Sequence, residues 1–490
     1  MIDRQTPVIV GVGQVNGAPG AEEPLDLIAQ AVEEAIQDSG TKTIPIDLIA
    51  LTKIGTKQYA NAPRRLGERT GFPNARTLQA NHGGHTSQIT LNHIASEIAF
   101  GSTQAAILAG GELGTGLKKG LHVSDTGTPT QPDSGATDDV PPDLGLGDDL
   151  YQWICHPHED AIGINEPIQL YPLMETSLGA ALGRTREEHL AEISRLWSRF
   201  SEVAAQNEFA NDRQSYTPQQ IATAGPGNRY VGYPYTKLMN SNQFVDQAAA
   251  ILLCSAGIAM DLGISRDRWV YPWAGVTAHC PVVSERHSLH DSPALAIAGR
   301  LLSQMIGRSL NEIELVDLYA CFPFAVQTQA NALGLDPAND LTLTGGMRFA
   351  GGPWNNYGTH MIANLVHRSR EQPDEMALCS TNGGLATRFN LTAYSGTPRP
   401  DGFRALPSPI IDPGPRRPLE TRPQGSGKIE AYTVLHDRAN EPVSAVAACL
   451  LPNGARAWAK LSGPETLGEM LAADPIGRSV QFTNEGDRLS

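Results

Sequence analysis

Residues 78–112 read LQANHGGHTSQITLNHIASEIAFGSTQAAILAGGE. The apolar runs Ala75–Asn81 and Ala105–Gly110 predict two strands. The stretch between them, from about Gly84 to Phe100, carries a helical pattern. A strand, a tight turn and a helix N-terminus form a place where backbone N–H groups and the helix dipole favour negative charge. Enzymes put nucleophilic cysteines there, because the dipole stabilises a thiolate. Here the turn is Asn81, His82, Gly83, Gly84 and His85, with no cysteine. A turn that simply needs two glycines explains the same residues equally well.

The pattern extends in both directions. Upstream, Pro7–Gly13 and Asp47–Ile54 predict strands around a helix at Pro24–Asp38. Downstream, residues 113–240 read as a loop-rich insertion over a sheet edge, with a helix near Glu187–Asn207. Asp246–Ser255 resumes the buried-strand pattern. A second cycle follows: strands at Arg268–His279, Leu315–Ala320 and Glu375–Ser380, with the segment Thr342–Gly346 before the last of them. Helices at Pro293–Ile306, Phe324–Ala332 and Thr359–Arg370 alternate with them. This alternation predicts an α/β fold with mainly parallel sheets, in two tandem halves over 1–256 and 257–395. Residues 396–424 hold eight prolines and read as a linker or wrapping arm. Beyond it, Lys428–His436, Val443–Leu451, Ala455–Leu461 and Ser479–Thr483 alternate as antiparallel strands. They predict a small β-barrel over 425–490.

Charge and composition narrow the function. The 490 residues include 37 bases and 52 acids, for a net charge of −15. That disfavours nucleic acid and anionic membranes as partners. The 11 bases and 11 acids after Thr397 cancel, so the whole −15 lies in residues 1–396. The segment Leu121–Gly183 holds 11 acids and no Lys or Arg. No run approaches a membrane-spanning length, and the N-terminus lacks the pattern of a signal peptide. Six scattered cysteines without a CxxC pair fit reduced thiols, so a cytoplasmic location is expected.

Two local motifs invite a stronger reading than they carry. VIVGVGQVNG spaces its glycines as Gly11-x-Gly13-x-x-x-Gly17, which departs from the dinucleotide fingerprint. CHPHED (Cys155–Asp160) clusters possible metal ligands, but without the helical spacing of zinc enzymes, so no metal is expected.

Taken together, the motifs resemble those of thiolases. The strand–turn–helix–strand ending in AGGE is similar to the thiolase nucleophile region. ELVDLYACFPFAVQ (Glu314–Gln327) resembles the stretch carrying NEAF, and more closely the HDCF variant of sterol-carrier-type thiolases. GGMRFAGGPWNNYGTH (Gly345–His360) sits where thiolases carry GHP, and ALCSTNGGLATR (Ala377–Arg388) where they carry CxG. The resemblance covers about residues 5–395 and is nearest to the thiolase-like proteins of type 1, which carry an extra C-terminal β-barrel. It implies two βαβαβαββ halves layered α-β-α-β-α, an OB-like C-terminal domain, and coenzyme A in acyl-CoA as ligand.

Carried over position by position, the resemblance also shows what is missing. The nucleophilic cysteine falls on Gly83–Gly84, the residue opening the second motif on Tyr319, and the GHP histidine on Gly352. The proton-moving cysteine falls on Ser380, next to Cys379. Acyl transfer by the family route needs an acyl-enzyme, which glycine cannot supply. The remaining candidates are Tyr319 as donor or acid/base, and His85 and His360 as bases. Backbone groups at Gly83, Gly84, Gly352 and Gly383 are candidates for holding an oxyanion. Lys118, Lys119 and Lys237, with Arg416 and Arg417, are candidates for the CoA phosphates.

Thiolase-like lyases of steroid side-chain breakdown resemble this arrangement, with a Tyr in the second motif and an OB-fold partner. The expected function is C–C bond cleavage or formation beside a CoA thioester without a Cys nucleophile. Its rivals are an inactive acyl-CoA-binding or scaffold protein, and an acyltransferase using a relocated Cys379 or Cys321. Either a homodimer or a monomer is compatible.

Overall fold

The computed structural model describes residues 2–17, 20–41, 43–119, 140–147, 154–483 and 487–489, with 117–119 as backbone only. Most of the acidic stretch 125–150 therefore lies outside the described residues. The first part of the chain runs β1 (Pro7–Asn16), α1 (Pro24–Asp38), β2 (Leu48–Leu51), α2 (Ala62–Thr70), β3 (Arg76–Ala80), α3 (Thr86–Phe100) and β4 (Ala105–Leu113). Then come β5 (Leu144–Leu146), α4 (Pro157–Ala161), α5 (Pro167–Ala181), α6 (Arg186–Gln206), α7 (Pro218–Ala222), β6 (Tyr230–Gly232), β7 (Tyr235–Thr236), β8 (Asp246–Ser255) and α8 (Ala256–Asp261). The second part runs β9 (Tyr271–His279), α9 (Pro293–Ile306), β10 (Leu315–Leu318), α10 (Pro323–Leu333), α11 (Gly346–Phe349), α12 (Tyr357–Glu371), β11 (Met376–Gly383) and β12 (Arg388–Ser395). The arm contributes β13 (Arg404–Ala405) and β14 (Ile410–Ile411). The C-terminal part adds β15 (Gly425–His436), β16 (Pro442–Leu450), β17 (Arg456–Leu461), α13 (Pro464–Ala472), β18 (Ser479–Phe482) and β19 (Arg488–Leu489).

The first sheet has the order β1-β8-β4-β2-β3-β5. It is mixed: β4, β2, β3 and β5 are parallel, whereas β8 runs antiparallel between β1 and β4. The second sheet, β10-β11-β12-β9-β13, is also mixed, with β10 and β11 parallel and β12 antiparallel to both neighbours. The expectation of mainly parallel sheets holds among the described strands, since in each sheet one strand, β8 or β12, runs against the others.

Helices α3 and α12 pack against both sheets and form the middle layer. α1 covers the outer face of the first sheet and α9 that of the second, completing five layers. The glycines of the GxG stretch serve this packing. A Cβ at Gly11 or Gly13 would lie 2.0 Å or 2.1 Å from the carbonyl oxygen of Ala35 or Ala31. They let α1 approach β1 closely, in place of a nucleotide.

Residues 342–346 form no strand, since Gly345 and Gly346 hold left-handed φ of 104° and 79°. The insertion is mainly helical among its described residues, with α5 packed on β15. The CHPHED segment opens α4: His156 Nδ1 accepts from the His158 N–H at 3.0 Å, and Glu159 accepts from the His156 N–H at 2.7 Å.

The proline-rich arm wraps the second sheet, with β13 and β14 pairing parallel to β9. The C-terminal sheet, β17-β16-β15-β18-β19, is antiparallel and has a core of its own. Register shifts along β15 bend it, so that β16 and β18 take different parts of the strand. No β17–β19 pairing closes the sheet among the described residues. The β6–β7 hairpin of the insertion joins this sheet through Gly232 and Leu435. No helix among the described residues is long and apolar enough to cross a membrane.

Candidate functional site

The turn between β3 and α3 lies under the end of β10, and the two meet at one point. A Cβ built on Gly84 would lie 2.0 Å from the Tyr319 hydroxyl oxygen and 2.5 Å from its Cζ. It would also lie 2.6 Å from the Asn382 carbonyl oxygen. Real Cβ atoms do not approach that closely, so the space a side chain at 84 would need is filled by Tyr319. Gly83 has a left-handed φ of 139°, and its N–H donates to Asn355 Oδ1 at 2.8 Å. Tyr319 is 6% exposed and meets Tyr357 edge-on, with ring centroids 5.4 Å apart. Burial, then the neighbouring Cys321, pushes the Tyr319 phenol far above its ordinary value. It stays protonated at neutral pH and is a hydrogen-bond donor.

Tyr171, from α5, closes the far side. Its hydroxyl donates to the Gly384 carbonyl at 3.1 Å and accepts from the Ala386 N–H at 3.2 Å. Its ring stacks on Phe322 at 4.5 Å. The insertion thus helps to build the site.

His85 packs against Gly383, where a Cβ would fall 2.0 Å from His85 Nδ1. Burial, reinforced by Arg388 and His279, lowers the His85 pKa to about 3. His360 lies on α12 and bonds instead to Gln14, Nδ1 to Oε1 at 2.8 Å. Burial also lowers its pKa to about 3. Both rings are neutral at pH 7 and are weak bases there.

From His360 a side-chain chain runs through Gln14 to Asn364 (3.0 Å), to Thr344 (3.1 Å) and to Asp317 (2.6 Å). Thr342 donates to the other Asp317 oxygen at 3.0 Å. Burial raises the Asp317 carboxyl to about 7, against the opposing pull of these hydroxyls. Folding therefore takes up a proton at Asp317 between pH about 4 and 7, and this contribution weakens stability as pH rises through that window. The two histidines act in the opposite sense: their contribution is lost as pH falls from about 6.5 towards 3. Asp317→Asn removes only the first effect. The stability gap between the parent protein and the variant is expected to narrow from pH 5 to pH 8, read by urea denaturation. An equal gap at both pH values would mean that Asp317 titrates normally.

The remaining candidates separate. Ser380 is buried and donates to Gln329, whose Nε2 donates to the Tyr319 carbonyl at 2.9 Å. Cys379 is fully buried, and its thiol is pushed well up by burial. The Gly352 N–H is taken by the Asn242 carbonyl at 2.9 Å, and Met347 fills the space beside it. Gly383 lies within β11 and pairs with Arg388 of β12. The side chains of Lys118 and Lys119 lie outside the described residues. Lys237 is exposed and lines a pocket whose lining does not include Tyr319. Arg417 donates to the His287 and Gly454 carbonyls, and Arg416 faces Asp412, so both hold the arm in place. Among the described residues no cluster of His, Cys, Asp or Glu forms a metal site.

Several residues of the site escaped the sequence reading: Tyr171, Gln14, Asn364 and Asp317. Asp317 had a signal, since it is an acid inside the apolar run LVDLY. Another is Glu112, which ends AGGE. It accepts from the Gly55 and Thr56 N–H groups at 2.7 and 2.9 Å, and burial lifts it to about 7.

Two mixed sheets around two buried helices, with the β3–α3 turn beneath the end of β10, define a thiolase fold. The C-terminal sheet adds to it, and residues 406–487 match the family described as thiolase-like protein type 1 additional C-terminal domain. Over 100% of both chains the structure is similar to a monomeric SCP2-thiolase like protein type 1 from Mycobacterium smegmatis, at 27% identity and TM-score 0.83. This is the architecture of a thiolase-like protein of type 1 with its additional C-terminal domain.

More distant likeness, which shows the fold alone, extends to other structures, two of which serve as examples. One is an Ltp2-ChsH2(DUF35) aldolase, at 17% identity and TM-score 0.59 over 79% of this chain and 97% of that one. The other is Acat5 thiolase from Ascaris suum in complex with coenzyme A, at 17% identity and TM-score 0.57 over 80% and 99%. No curated protein matches the chain.

Proposed function

We propose that the chain binds acyl-CoA in a thiolase fold and forms no acyl-enzyme. The observation that carries this reading is the Tyr319 hydroxyl standing in the space of a side chain at Gly84. The buried, high-pKa thiol of Cys379 supports it, because such a thiol is a poor nucleophile. Cys321, raised to about 12, is no better suited. The strand β5 covers the outer edge of β3, which favours a monomer.

A second reading is retro-aldol cleavage beside the thioester. The β-hydroxyl would lose its proton, the Cα–Cβ bond would break, and the electron pair would pass into a thioester enolate that is then reprotonated. The neutral Tyr319 hydroxyl favours this reading, since a preorganised donor can hold the enolate oxygen. The weak basicity of His85 and His360 counts against it.

Thermal shift and mass spectrometry with saturated and 3-hydroxyacyl-CoA thioesters separate the two. Under the first reading the ligand raises Tm, with no product and no added mass on the protein. Under the second a carbonyl product appears, and Tyr319→Phe abolishes it while the Tm shift remains. An acyl adduct on the intact protein would overturn both.

A further inference from the structure

A pocket of about 500 Å³ lies between the insertion and the C-terminal domain. Three bases line it: Arg229, Lys237 and Arg438. The rest of the lining is the Gly225-Pro226-Gly227 turn with Ala439 and Asn440, so no acid faces it. Lys237 and Arg438 are exposed, and Arg229 is half-buried. None of the three takes part in an ion pair among the described residues.

The backbone holds these cations in place. The Lys237 N–H donates to the Arg229 carbonyl at 2.8 Å, and the Leu238 N–H to Asn228 Oδ1 at 2.9 Å. Across the junction, the Tyr230 N–H donates to Asn440 Oδ1 at 2.7 Å. Arg229 Nη1 donates to the Tyr230 and His436 carbonyls at 2.6 and 3.3 Å, which fixes the fork. Asp437, next to Arg438 in the chain, turns its Oδ1 to the N–H groups of Ala439 and Glu441 at 2.9 Å. That leaves three positive charges converging on one concavity of a chain with net charge −15. Like charges so held repel one another, and a multiply charged anion relieves the repulsion. A guanidinium fork with an ammonium group suits phosphate oxygens.

We propose that Arg229, Lys237 and Arg438 form a phosphate-binding site at the junction of the insertion and the C-terminal domain. The ligand class is a phosphate monoester or free phosphate. Arg438 comes from the C-terminal domain, so the bound anion ties that domain to the insertion. The proposal does not depend on acyl-CoA binding at Tyr319.

The test is calorimetric titration of the full chain with adenosine 3′,5′-bisphosphate and, separately, with inorganic phosphate. The Lys237→Ala/Arg438→Ala double variant is titrated beside it, and its Tm confirms folding, since both side chains are exposed. Binding of either anion, weakened about tenfold or more in the double variant and by added salt, is expected. Tighter binding of the bisphosphate assigns the site to an ester, and equal binding to free phosphate. Equal affinity in both proteins, or no binding of either anion, overturns the proposal. A Tm shift by acyl-CoA that persists in the double variant belongs to the site at Tyr319, and one that disappears there belongs to this site and removes the proposed function.

Discussion

Replacing Gly84 by Cys, at one of the two turn positions on which the family nucleophile falls, is expected to destabilise the protein by about 3 kcal/mol or more. The new Cβ would overlap the Tyr319 hydroxyl at 2.0 Å and the Asn382 carbonyl at 2.6 Å. Tyr319→Ala removes the first obstacle at its own cost of about 3–5 kcal/mol. The second obstacle is backbone and stays. In the double variant the loss should therefore fall short of the sum of the single losses, by about 0.5–3 kcal/mol. Urea unfolding of the four proteins measures this coupling. Strict additivity would show that Tyr319 does not occupy the space over residue 84. The same result bears on function, because a protein that rejects a cysteine at residue 84 cannot regain a nucleophile there by one substitution.

The second large effect is expected at Arg456. This arginine lies on β17 and is fully buried. It pairs with Glu430 and donates to the carbonyls of Val283, Ser284 and Arg286 at 3.0, 3.0 and 2.7 Å. Trp458, two residues on, donates to Ser284 Oγ at 2.8 Å. These contacts fasten the C-terminal sheet to the second half of the body. Arg456→Ala would leave a carboxylate and three carbonyls without their donor, at a cost of about 3–5 kcal/mol. Faster proteolysis within residues 396–424 should accompany the loss. Arg456→Lys should recover only part of it, because an ammonium group lacks the planar fork. A Tm for Arg456→Ala within about 2 °C of the parent would refute the anchoring role.

How much of this could be read from the chain depends on the range over which each feature is encoded. The strand–turn–helix at 78–100 was legible because strand and helix patterns and the glycine turn are local. The C-terminal strands were legible for the same reason, with the turn PNG between the last two. The strand order, with β8 and β12 reversed among their neighbours, was not, since it follows from tertiary pairing. The role of Thr342 and Thr344 as donors to Asp317 was not legible either, because it joins separate segments. The pairing of Tyr319 with Gly84 joins positions far apart in the chain, and no local signal announces it. The surroundings of His85 and His360 were hidden for a related reason. Their residue type suggests a base, whereas the burial that makes them weak ones appears only in three dimensions.

The hairpin β6–β7 adds a constraint on the order of events during synthesis. Its partner in the C-terminal sheet lies about 200 positions later, where Thr433 Oγ1 donates to the Tyr233 carbonyl. On the ribosome, this hairpin must wait, with its outer edge unpaired, until almost the whole chain has emerged. Contacts of such long range make folding slow and leave exposed edges prone to wrong association. A chain cut short before residue 425 would never cover that edge. Its expected fate is aggregation or degradation, so the C-terminal domain also acts as a late checkpoint on the completeness of the polypeptide.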